Sequence, residues 1–199
     1  MAQKRRMLDL CSGYGGASEA FIQAGWDVTR IEINTDFANV PRTIIQDILD
    51  ESFEYWDDLP FDFIWSSPPC LEFSAAYNAP REKAKRENIE FEPDVNIIKK
   101  SLEIIEHFKP KYWVIENVQG AKNDISKIIG KPPRQIVGPF YFWGQFPFIC
   151  MPPNYEHTKA SQDKRWHPLR ANIKAKIPLE ISEAFLREFN EQPTLMEWY

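Results

Sequence analysis

The sequence predicts an α/β fold in which a mostly parallel sheet carries helices on both faces, a Rossmann-like arrangement. Apolar runs of strand length alternate with segments of helical apolar spacing between residues 5 and 121. Four of the runs lead into a polar or reactive side chain, namely Asp9, Glu32, Cys70 and Glu116. Open α/β sheets bind ligands at the edge formed by the carboxyl ends of their parallel strands. The repetition therefore predicts one crevice along one edge of the sheet.

The individual elements follow from apolar periodicity and from the Gly and Pro residues between them. The predicted strands are residues 5–12, Val28–Ile33, Thr43–Asp47, Phe61–Trp65 and Lys111–Val118. The predicted helices are Ala17–Ala24, Ile48–Leu59, Asp94–Phe108 and a last helix that begins at Ile177-Pro178. This order of elements is typical of a sheet built from strand–helix–strand units.

The chain changes character after Gly130. The aromatic run Val137–Cys150 is interrupted by Gly and Pro, which predicts short strands or a hairpin at the sheet edge, although its rings also suit a core. Residues 151–172 predict a loop, and residues 192–199 show no clear pattern. No repeat or linker divides the chain, so we expect a single domain over residues 1–199.

Composition sets the class of protein. The chain has 199 residues, of which 43% are hydrophobic and 14% aromatic, enough for one domain with a substantial core. No apolar run approaches the roughly 20 residues of a membrane span, and the N-terminus lacks the apolar core of a signal peptide. The three cysteines lie far apart, which argues against a zinc site or a disulfide framework and favours a reducing, cytoplasmic compartment.

The net charge of −5 is unusual for a nucleic-acid-binding protein, because phosphate contacts need Lys and Arg. A local basic face would suffice. The most basic window, residues 76–94, contains Arg81, Lys83 and Arg86 and predicts a mobile loop that closes over phosphates, or else a solvated helix face. Residues 151–172 interleave basic and aromatic side chains, Arg165 among them, which suits base stacking and is equally common in surface loops.

A glycine-rich turn follows the first strand. Glycines between Ser12 and Gly16 let the backbone turn tightly and approach a ligand closely. The next strand contains Glu32, an acid that can accept hydrogen bonds from ribose hydroxyls. The spacing is not the dinucleotide Gly-x-Gly-x-x-Gly pattern. The sequence therefore leaves two interpretations open, a nucleoside-binding site and a plain turn.

The fourth predicted strand leads into Pro68-Pro69-Cys70. Two prolines lack backbone donors and cannot continue a central strand, so the chain must turn and deliver Cys70 just past the strand end. A thiol on a stiff turn at that edge is a candidate nucleophile. The alternative is a small buried apolar residue, which is the usual state of a free cysteine.

Three segments together resemble the DNA cytosine-C5 methyltransferases, in particular compact phage- and virus-type members. Asp9–Gly16 resembles the family's first motif, Ser67–Ser74 its catalytic motif, and Ile115–Val118 its Glu-Asn-Val motif. They occur in the family's order and spacing and span roughly residues 5–121. The segment from Arg170 to Phe189 is weakly similar to the closing helix of the compact members.

The resemblance implies an S-adenosylmethionine-dependent methyltransferase fold and activity, with S-adenosylhomocysteine as the product of the cofactor. It implies a DNA substrate, no membrane and no obligate protein partner, in a prokaryotic or virus-infected cell. The implied catalytic residues are Cys70, Glu116 and Asn117. The implied cofactor-binding residues are Asp9, Cys11, Gly13, Gly15, Gly16, Glu32, Ile33, Asp47 and Pro69. The candidate nucleic-acid-binding residues are Arg81, Lys83, Arg86, Arg134 and Arg165.

The family's chemistry explains these residue types. Cys70 would attack C6 of cytosine while Glu116 donates toward N3, so that C5 becomes nucleophilic enough to take a methyl group. Burial should raise the pKa of Glu116 and keep it protonated near neutral pH. Asn117 would shape the site. A base inside a duplex must be flipped out before it can react.

The sequence also departs from the family. The Gln-x-Arg-x-Arg motif of larger members is missing, and its expected place reads Trp143–Ile149. Arg81, Arg134 or Arg165 could replace its arginine. The glutamine that usually follows Pro-Pro-Cys is Leu71. About 55 residues separate Gly120 from the last helix, against roughly 100 for an ordinary separate domain, so we expect residues 122–176 to be a reduced, irregular substitute for a target-recognition domain.

Two alternatives to the DNA methyltransferase therefore stay open. One is an inactive or weakly active relative that binds cofactor or nucleic acid only. The other is a C5 methyltransferase that acts on RNA or single-stranded DNA. An amino-directed methyltransferase fits less well, because such sites place a polar group and an aromatic ring around Pro-Pro rather than a thiol.

Overall fold

The structure is a computed structural model, and it describes residues 4–50, 60–156 and 169–191. Parts of several sequence predictions lie outside these ranges. They are most of the helix expected over Ile48–Leu59, the basic and aromatic residues around Arg165, and the C-terminal residues 192–199. Of the first, only the short 3-10 turn Ile48–Asp50 is described.

The described residues form one seven-stranded sheet in the order β3-β2-β1-β4-β5-β7-β6. The first five strands pair in parallel, while β7 runs antiparallel to β5 and β6 antiparallel to β7. The strands are β1 Arg6–Leu10, β2 Asp27–Glu32, β3 Thr43–Ile45, β4 Phe63–Ser66, β5 Tyr112–Asn117, β6 Gln135–Val137 and β7 Phe140–Gln145. All five strands predicted before residue 121 are therefore confirmed.

Helices lie on both faces of the sheet, as predicted. The helices are α1 Glu19–Gln23, α2 Pro80–Glu87, α3 Asn96–Phe108, α4 Lys122–Ile129, α5 Arg170–Ala175 and α6 Leu179–Glu191. Successive residues of a strand point to opposite faces. Met7 and Phe63 accordingly pack in one apolar core with α1 and α6, whereas Leu8 and Ile64 pack in a second core with α3 and α4.

The aromatic run predicted to form edge strands makes the β6–β7 hairpin. Gly138 provides the positive φ, 56°, at its turn. The alternative role of these rings as core is also confirmed, because Phe142 and Trp143 are fully buried. No helix in the described part of the chain is long and apolar enough to cross a membrane.

Two loop predictions were wrong. The window expected to be a mobile basic loop contains helix α2, because Pro80 suits the first helical turn and Asn88 ends the helix in a left-handed conformation. The alternative, a solvated helix face, is the one observed. The loop expected up to residue 172 ends earlier, because α5 begins at Arg170.

The sheet order places the glycine-rich turn at a topological switch point. From β1 the chain moves outward to β2 and β3, and then returns to form β4 on the other side of β1. The connections after β1 and β4 thus leave in opposite directions and open a crevice between them. This crevice lies where the polar strand ends were predicted to meet.

Helix α6 supports the first helix through one buried hydroxyl. Ser182 Oγ donates to the Ala17 carbonyl at 2.7 Å and accepts from the Ala20 N–H at 3.2 Å. Both backbone groups belong to the chain that leaves the glycine-rich turn. The C-terminal helix therefore fixes the start of α1, a contact that spans most of the sequence.

We expect Ser182→Ala to lower the free energy of unfolding by about 1–3 kcal/mol, because it leaves a buried donor and a buried acceptor without their partner. Chemical denaturation measures the loss. Glu183→Ala, at an exposed position of the same helix, should change stability by less than about 0.5 kcal/mol. Equal effects of the two substitutions would contradict the structural role of Ser182.

Candidate active site

The glycine-rich turn after β1 is held in an unusual backbone conformation. Cys11, Gly13 and Gly15 all have positive φ, at 56°, 50° and 68°. The Ser12 N–H donates to the Ile31 carbonyl of β2 at 3.1 Å, which ties the turn to the neighbouring strand. A positive φ at Cys11 is costly for a residue with a Cβ, so the surrounding contacts must hold it.

Glu32 supplies one of those contacts from the end of β2. Its carboxylate accepts the Gly13 N–H at 2.7 Å and the Asn34 N–H at 3.0 Å. A carboxylate has about four acceptor sites, so the two backbone bonds leave capacity for ligand hydroxyls. Ile33, the next residue, is 62% exposed, an apolar side chain beside the acid.

A buried polar network lies beneath the turn. Ser18 Oγ donates to Asp9 Oδ2 at 2.5 Å and accepts from Arg30 Nε at 2.8 Å. The Arg30 guanidinium also donates to the carbonyls of Gly15 and Pro41, at 2.8 and 2.9 Å. Arg30 is 4% exposed and Asp9 is 1% exposed, so this network is closed to water.

Burial raises the pKa of Asp9 to about 6, against the opposing hydrogen bond from Ser18 and the charge of Arg30. Burial also raises the pKa of the Cys11 thiol, with smaller contributions from the charges of Glu32, Asp9 and Asp47. Three acids from three strand ends therefore converge on Cys11. The Asp47 carboxylate in addition accepts the Leu49 N–H at 2.9 Å.

The region can accept a ligand with hydrogen-bond donors. Asp9 Oδ1 and Ser12 Oγ are buried polar atoms without a hydrogen-bond partner among the described residues. A Cβ on Gly13 would meet no atom within 4 Å, so this glycine faces open space. An unpaired buried acceptor and an open glycine suit a cofactor with an ammonium or hydroxyl group.

The other two glycines face the protein itself. A Cβ on Gly15 would lie 2.2 Å from Cζ of Arg30, and one on Gly16 would lie 2.2 Å from the carbonyl oxygen of Ile177. Their small size is therefore required by packing against Arg30 and against the chain just before α6. The sequence predicted that these glycines let the backbone approach a ligand. Close packing within the protein is a second reason why glycine is needed at these positions.

The candidate nucleophile lies at the end of β4, on the other side of the switch point. Pro68 is buried and Pro69 exposed, and Cys70 precedes a 3-10 turn over Leu71–Phe73. Burial raises the pKa of the Cys70 thiol, and the charge of Glu116 raises it further. Cys70 and Glu116 therefore lie close enough to interact electrostatically.

Glu116 and Asn117 end β5, the next strand of the sheet. Burial raises the pKa of Glu116 to about 7, although a hydrogen bond with the Ser67 side chain opposes the shift. This confirms the expectation that burial would tune the acid to neutral pH. Asn117 Nδ2 donates to the Pro68 carbonyl at 3.0 Å, and its Oδ1 accepts the Val118 N–H at 2.9 Å. Asn117 thus holds the Pro-Pro-Cys turn against β5.

A second contact joins the two strand ends. A Cβ on Gly120 would lie 1.8 Å from the Phe73 carbonyl oxygen, so the chain after β5 touches the turn after Cys70. Arg81 secures this contact from α2. Its guanidinium donates to the Gly120 carbonyl at 2.8 Å and pairs with Asp124 at 2.7 Å.

The other candidate nucleic-acid-binding residues also contact protein groups. Arg86 donates to the Tyr77 carbonyl at 2.6 Å and lies 3.9 Å from the centre of its ring. Arg134 donates to the Phe146 carbonyl at 2.5 Å, and Lys83 is exposed on α2. Within the described ranges, no hydrogen bond or ion pair joins an arginine to Cys70 or Glu116.

Several residues of the site were not predicted from the sequence, notably Ser18, Arg30 and Ser67. Arg30 carried a detectable signal, because an arginine in the interior of a parallel strand, between Thr29 and Ile31, must find buried partners. Ser18 carried none, since serine in a turn is ordinary. Ser67 belongs to the Ser67–Ser74 motif, which assigns it no role of its own.

The fold and these residues define a Rossmann-like α/β protein with a nucleoside-type turn beside a thiol and a carboxyl group. A sequence profile described as C-5 cytosine-specific DNA methylase matches residues 5–129. The chain therefore belongs to the C-5 cytosine-specific DNA methylase family.

A probable DNA (cytosine-5)-methyltransferase of Frog virus 3 (isolate Goorha) is 30% identical over 122 residues, which are 56% of this chain and 53% of the viral protein. The chain thus spans about half the length of the curated relative that it matches.

Two solved structures are also similar. A putative DNA modification methyltransferase encoded within a prophage of E. coli is 21% identical with a TM-score of 0.44, covering 64% of this chain and 38% of the other. The Dnmt2 methyltransferase of S. pombe is 24% identical with a TM-score of 0.45, covering 64% of this chain and 40% of the other.

Removal of the buried arginine tests the network beneath the turn. We expect Arg30→Met to lower the free energy of unfolding by about 3 kcal/mol or more, because it leaves Asp9 buried without its cation. The matched control is Arg42→Met, which removes an exposed ion pair with Asp27 and should change stability by less than about 1 kcal/mol. Urea denaturation compares the two. A loss at Arg30 no larger than at Arg42 would show that the network does not stabilise the fold.

Proposed function

We propose that this protein transfers a methyl group from S-adenosylmethionine to C5 of cytosine in DNA. The observation that carries the proposal is the pairing of Cys70 with a buried Glu116 on adjacent strand ends, beside the glycine-rich turn. A thiol and a carboxylic acid that act on one ring are what addition to C6 requires. Family membership supports the same reaction.

S-adenosylmethionine, when bound, supplies an electrophilic methyl group on a sulfonium centre. We assign its adenosine end to the region of Glu32, Ile33 and Asp47, and its amino acid end to the region of Asp9 and Gly13. The unpaired Asp9 Oδ1 and the open space at Gly13 support this assignment. Cys11, Gly15 and Gly16 shape the turn, and we assign Pro69, the residue before Cys70, to cofactor binding as well.

The chain's own groups then act on the cytosine. The Cys70 thiolate forms a bond from Sγ to C6, and Glu116 gives its proton to N3, so that electron density moves to C5. After C5 has been methylated, N3 returns its proton to Glu116, a water molecule takes the C5 proton, and the thiolate leaves C6, which restores the aromatic ring. Asn117 acts indirectly, by holding the Pro68 carbonyl and hence the position of Cys70.

The electrostatics also explain how the pair divides its protons. The negative charge of Glu116 raises the pKa of Cys70, so that an ionised Glu116 makes the thiolate harder to form. Protonation of Glu116 removes this repulsion and makes the thiolate easier to form. Protonated Glu116 therefore activates the cytosine ring and also favours the thiolate form of Cys70.

A second function, cofactor or nucleic-acid binding without transfer, has one observation in its favour. The pKa of Cys70 is raised, and no arginine of the described chain bonds to the pair. An active site of this type needs thiolate character. If the protein transfers methyl groups, formation of the Cys70 thiolate therefore depends on the bound substrate, on the cofactor's positive charge, or on residues outside the described ranges such as Arg165.

We further propose that residues 1–199 act as one catalytic domain, with residues 122–176 in place of a large target-recognition domain. The proposal is supported by α4, β6 and β7, which pack in the same cores and sheet as the rest. Little sequence recognition is expected from so small a segment. The alternative substrates are RNA and single-stranded DNA. We also propose a reducing, cytoplasmic compartment, because the three cysteines lie far apart along the chain without paired spacing.

Methyl transfer from labelled S-adenosylmethionine tests the reaction. We expect 5-methylcytosine in duplex DNA, and a loss of at least about 1,000-fold in Cys70→Ala and in Glu116→Gln because each removes a reacting group. Cys150→Ala, at an exposed free cysteine, is the matched control and should retain activity. Parallel assays with single-stranded DNA and with RNA identify the substrate.

Two outcomes would contradict the proposal. Unchanged incorporation in Cys70→Ala would exclude the covalent route. No incorporation into any of the three nucleic acids, with S-adenosylmethionine still bound in calorimetry, would favour the binding function.

The pH dependence follows from the two pKa values. The reactive form carries a proton on Glu116 and none on Cys70. Because Glu116 titrates at about 7 and Cys70 above its ordinary range, this form is most populated between the two values. We expect kcat/KM to fall about tenfold per pH unit below about pH 7, and to fall again above the Cys70 pKa. A decline that begins at pH 7 and continues upward would mean that Cys70 is already a thiolate at neutral pH.

A further inference from the structure

Asp9 and Arg30 are neighbours across two strands of the sheet. The register of β1 and β2 places them side by side, and both side chains are buried. Buried ion pairs often contribute little net stability, since taking both charges out of water is costly. This pair lies directly before the glycine-rich turn, so it is a candidate for a role in the site.

Ser18 links the two charged groups, and its hydrogen bonds have a fixed direction. Arg30 Nε donates to Ser18 Oγ at 2.8 Å, and a guanidinium can only donate. The single hydroxyl hydrogen of Ser18 has two acceptors within reach, Asp9 Oδ2 at 2.5 Å and the Gly15 carbonyl at 3.4 Å. The Gly15 carbonyl already accepts from Arg30 Nη2 at 2.8 Å. The shorter bond therefore goes to the carboxylate, and the chain of donors runs from Arg30 through Ser18 to Asp9.

This arrangement leaves the other oxygen of Asp9 unpaired. Asp9 Oδ1 is a buried acceptor without a hydrogen-bond partner among the described residues. Buried polar atoms nearly always have a partner, so the unpaired oxygen points to a ligand. Asp9 cannot rotate to pair Oδ1 elsewhere without losing the bond from Ser18 to Oδ2. One oxygen is thus held in place, while the other remains available to a donor from outside the protein.

We propose that Ser18 and Arg30 are positioning residues for the cofactor, which hold Oδ2 of Asp9 so that Oδ1 accepts a hydrogen bond from the ammonium group of S-adenosylmethionine. The identity of the ligand rests on the proposed function, and the two residues lie outside the predicted cofactor site. Ser12 Oγ, also buried and unpaired, and the open space at Gly13 follow on the same turn. An ammonium group has three donors and suits such a set of acceptors.

The charges favour the same role. An ammonium group binds a carboxylate more strongly than a neutral carboxylic acid, because the acceptor is then ionised. Burial opposes ionisation and raises the pKa of Asp9 to about 6, whereas the hydrogen bond from Ser18 and the charge of Arg30 lower it. The two positioning residues therefore help to keep Asp9 ionised at neutral pH, and they also fix its orientation.

A purely structural role of Ser18 makes a different prediction. If Ser18 only stabilised the start of α1, its removal would weaken the binding of every ligand of the crevice in the same proportion. The proposed role affects only ligands that carry an amino group. The informative quantity is therefore the ratio of two dissociation constants, measured for a ligand with the amino group and for the same ligand without it.

Isothermal titration calorimetry measures this ratio with two probes. One is S-adenosylhomocysteine, and the other is its deaminated analogue, which keeps the adenosine, the sulfur and the carboxylate. We expect the original protein to bind the first probe about 10–100-fold more tightly, as for a hydrogen bond between charged groups. Ser18→Ala should lower this preference about tenfold, and Asp9→Asn at least as much. At about pH 8 Asp9 is ionised, so that loss of the Ser18 hydroxyl changes mainly its position.

Ser182→Ala is the matched control. Ser182 is a buried serine that also holds the start of α1, but it bonds to the backbone of Ala17 and Ala20 and not to Asp9. Its removal loosens the same part of the chain and should leave the preference for S-adenosylhomocysteine unchanged.

A second variant covers the case in which Ser18→Ala does not fold. Arg30→Lys keeps the positive charge and removes the guanidinium that donates to Ser18 and to the Gly15 carbonyl. The Ser18 hydroxyl is then no longer directed to Asp9, and the preference should fall about threefold or more.

An unchanged preference in folded Ser18→Ala or Arg30→Lys would overturn the proposal, and so would an unchanged preference in Asp9→Asn. Failure of the original protein to bind S-adenosylhomocysteine would overturn it as well. The titration needs no nucleic acid, which separates it from the test of methyl transfer. A lowered preference in Ser18→Ala supports the positioning role even where no nucleic acid is methylated, and the proposed reaction alone would then fail.

Discussion

The parallel register of β1, β4 and β5 is the constraint on which the whole site depends. Leu10 lies beside Ser66, and Ser66 lies beside Ile115, so that the residues following each are brought to one level at the sheet edge. A slip of one residue would turn every side chain of a strand to the opposite face. Because each of these strands is buried on both faces, such a slip would also disrupt two cores.

The contacts above the sheet preserve this alignment. Asn117 and Gly120 hold the turn after β4 against β5, while Glu32 and Ser12 hold the glycine-rich turn against β2. Each contact joins neighbouring strand ends through a backbone group. The loops that carry the reactive residues are therefore tied to the strand ends by these contacts.

The site contains two buried acids, Asp9 and Glu116, whose ionisation lowers the stability of the fold. Burial raises the pKa of Asp9 from 3.8 to about 6 and that of Glu116 from 4.5 to about 7. A carboxyl group whose pKa is higher in the folded state contributes stability below its unfolded pKa, and this contribution disappears as the pH rises through the folded value. At neutral pH Asp9 is therefore held ionised against its environment, with Arg30 and Ser18 in compensation. Perturbed acids of this kind are typical of functional sites.

The sequence by itself determined the five parallel strands, the helices on both faces and the convergence of Asp9, Glu32, Cys70 and Glu116. Apolar runs, glycines and prolines are local signals, and the rule for parallel strand ends converts them into a shared edge. The sequence did not determine that Arg81 pairs with Asp124, nor that the basic window of residues 76–94 contains a helix. Only the tertiary structure decided that Arg30 lies beneath Gly15 and that Ser182 holds the start of α1. These contacts join residues from different elements, some of them far apart along the chain, and hydrogen bonds from common polar side chains to the backbone leave no pattern in a single sequence.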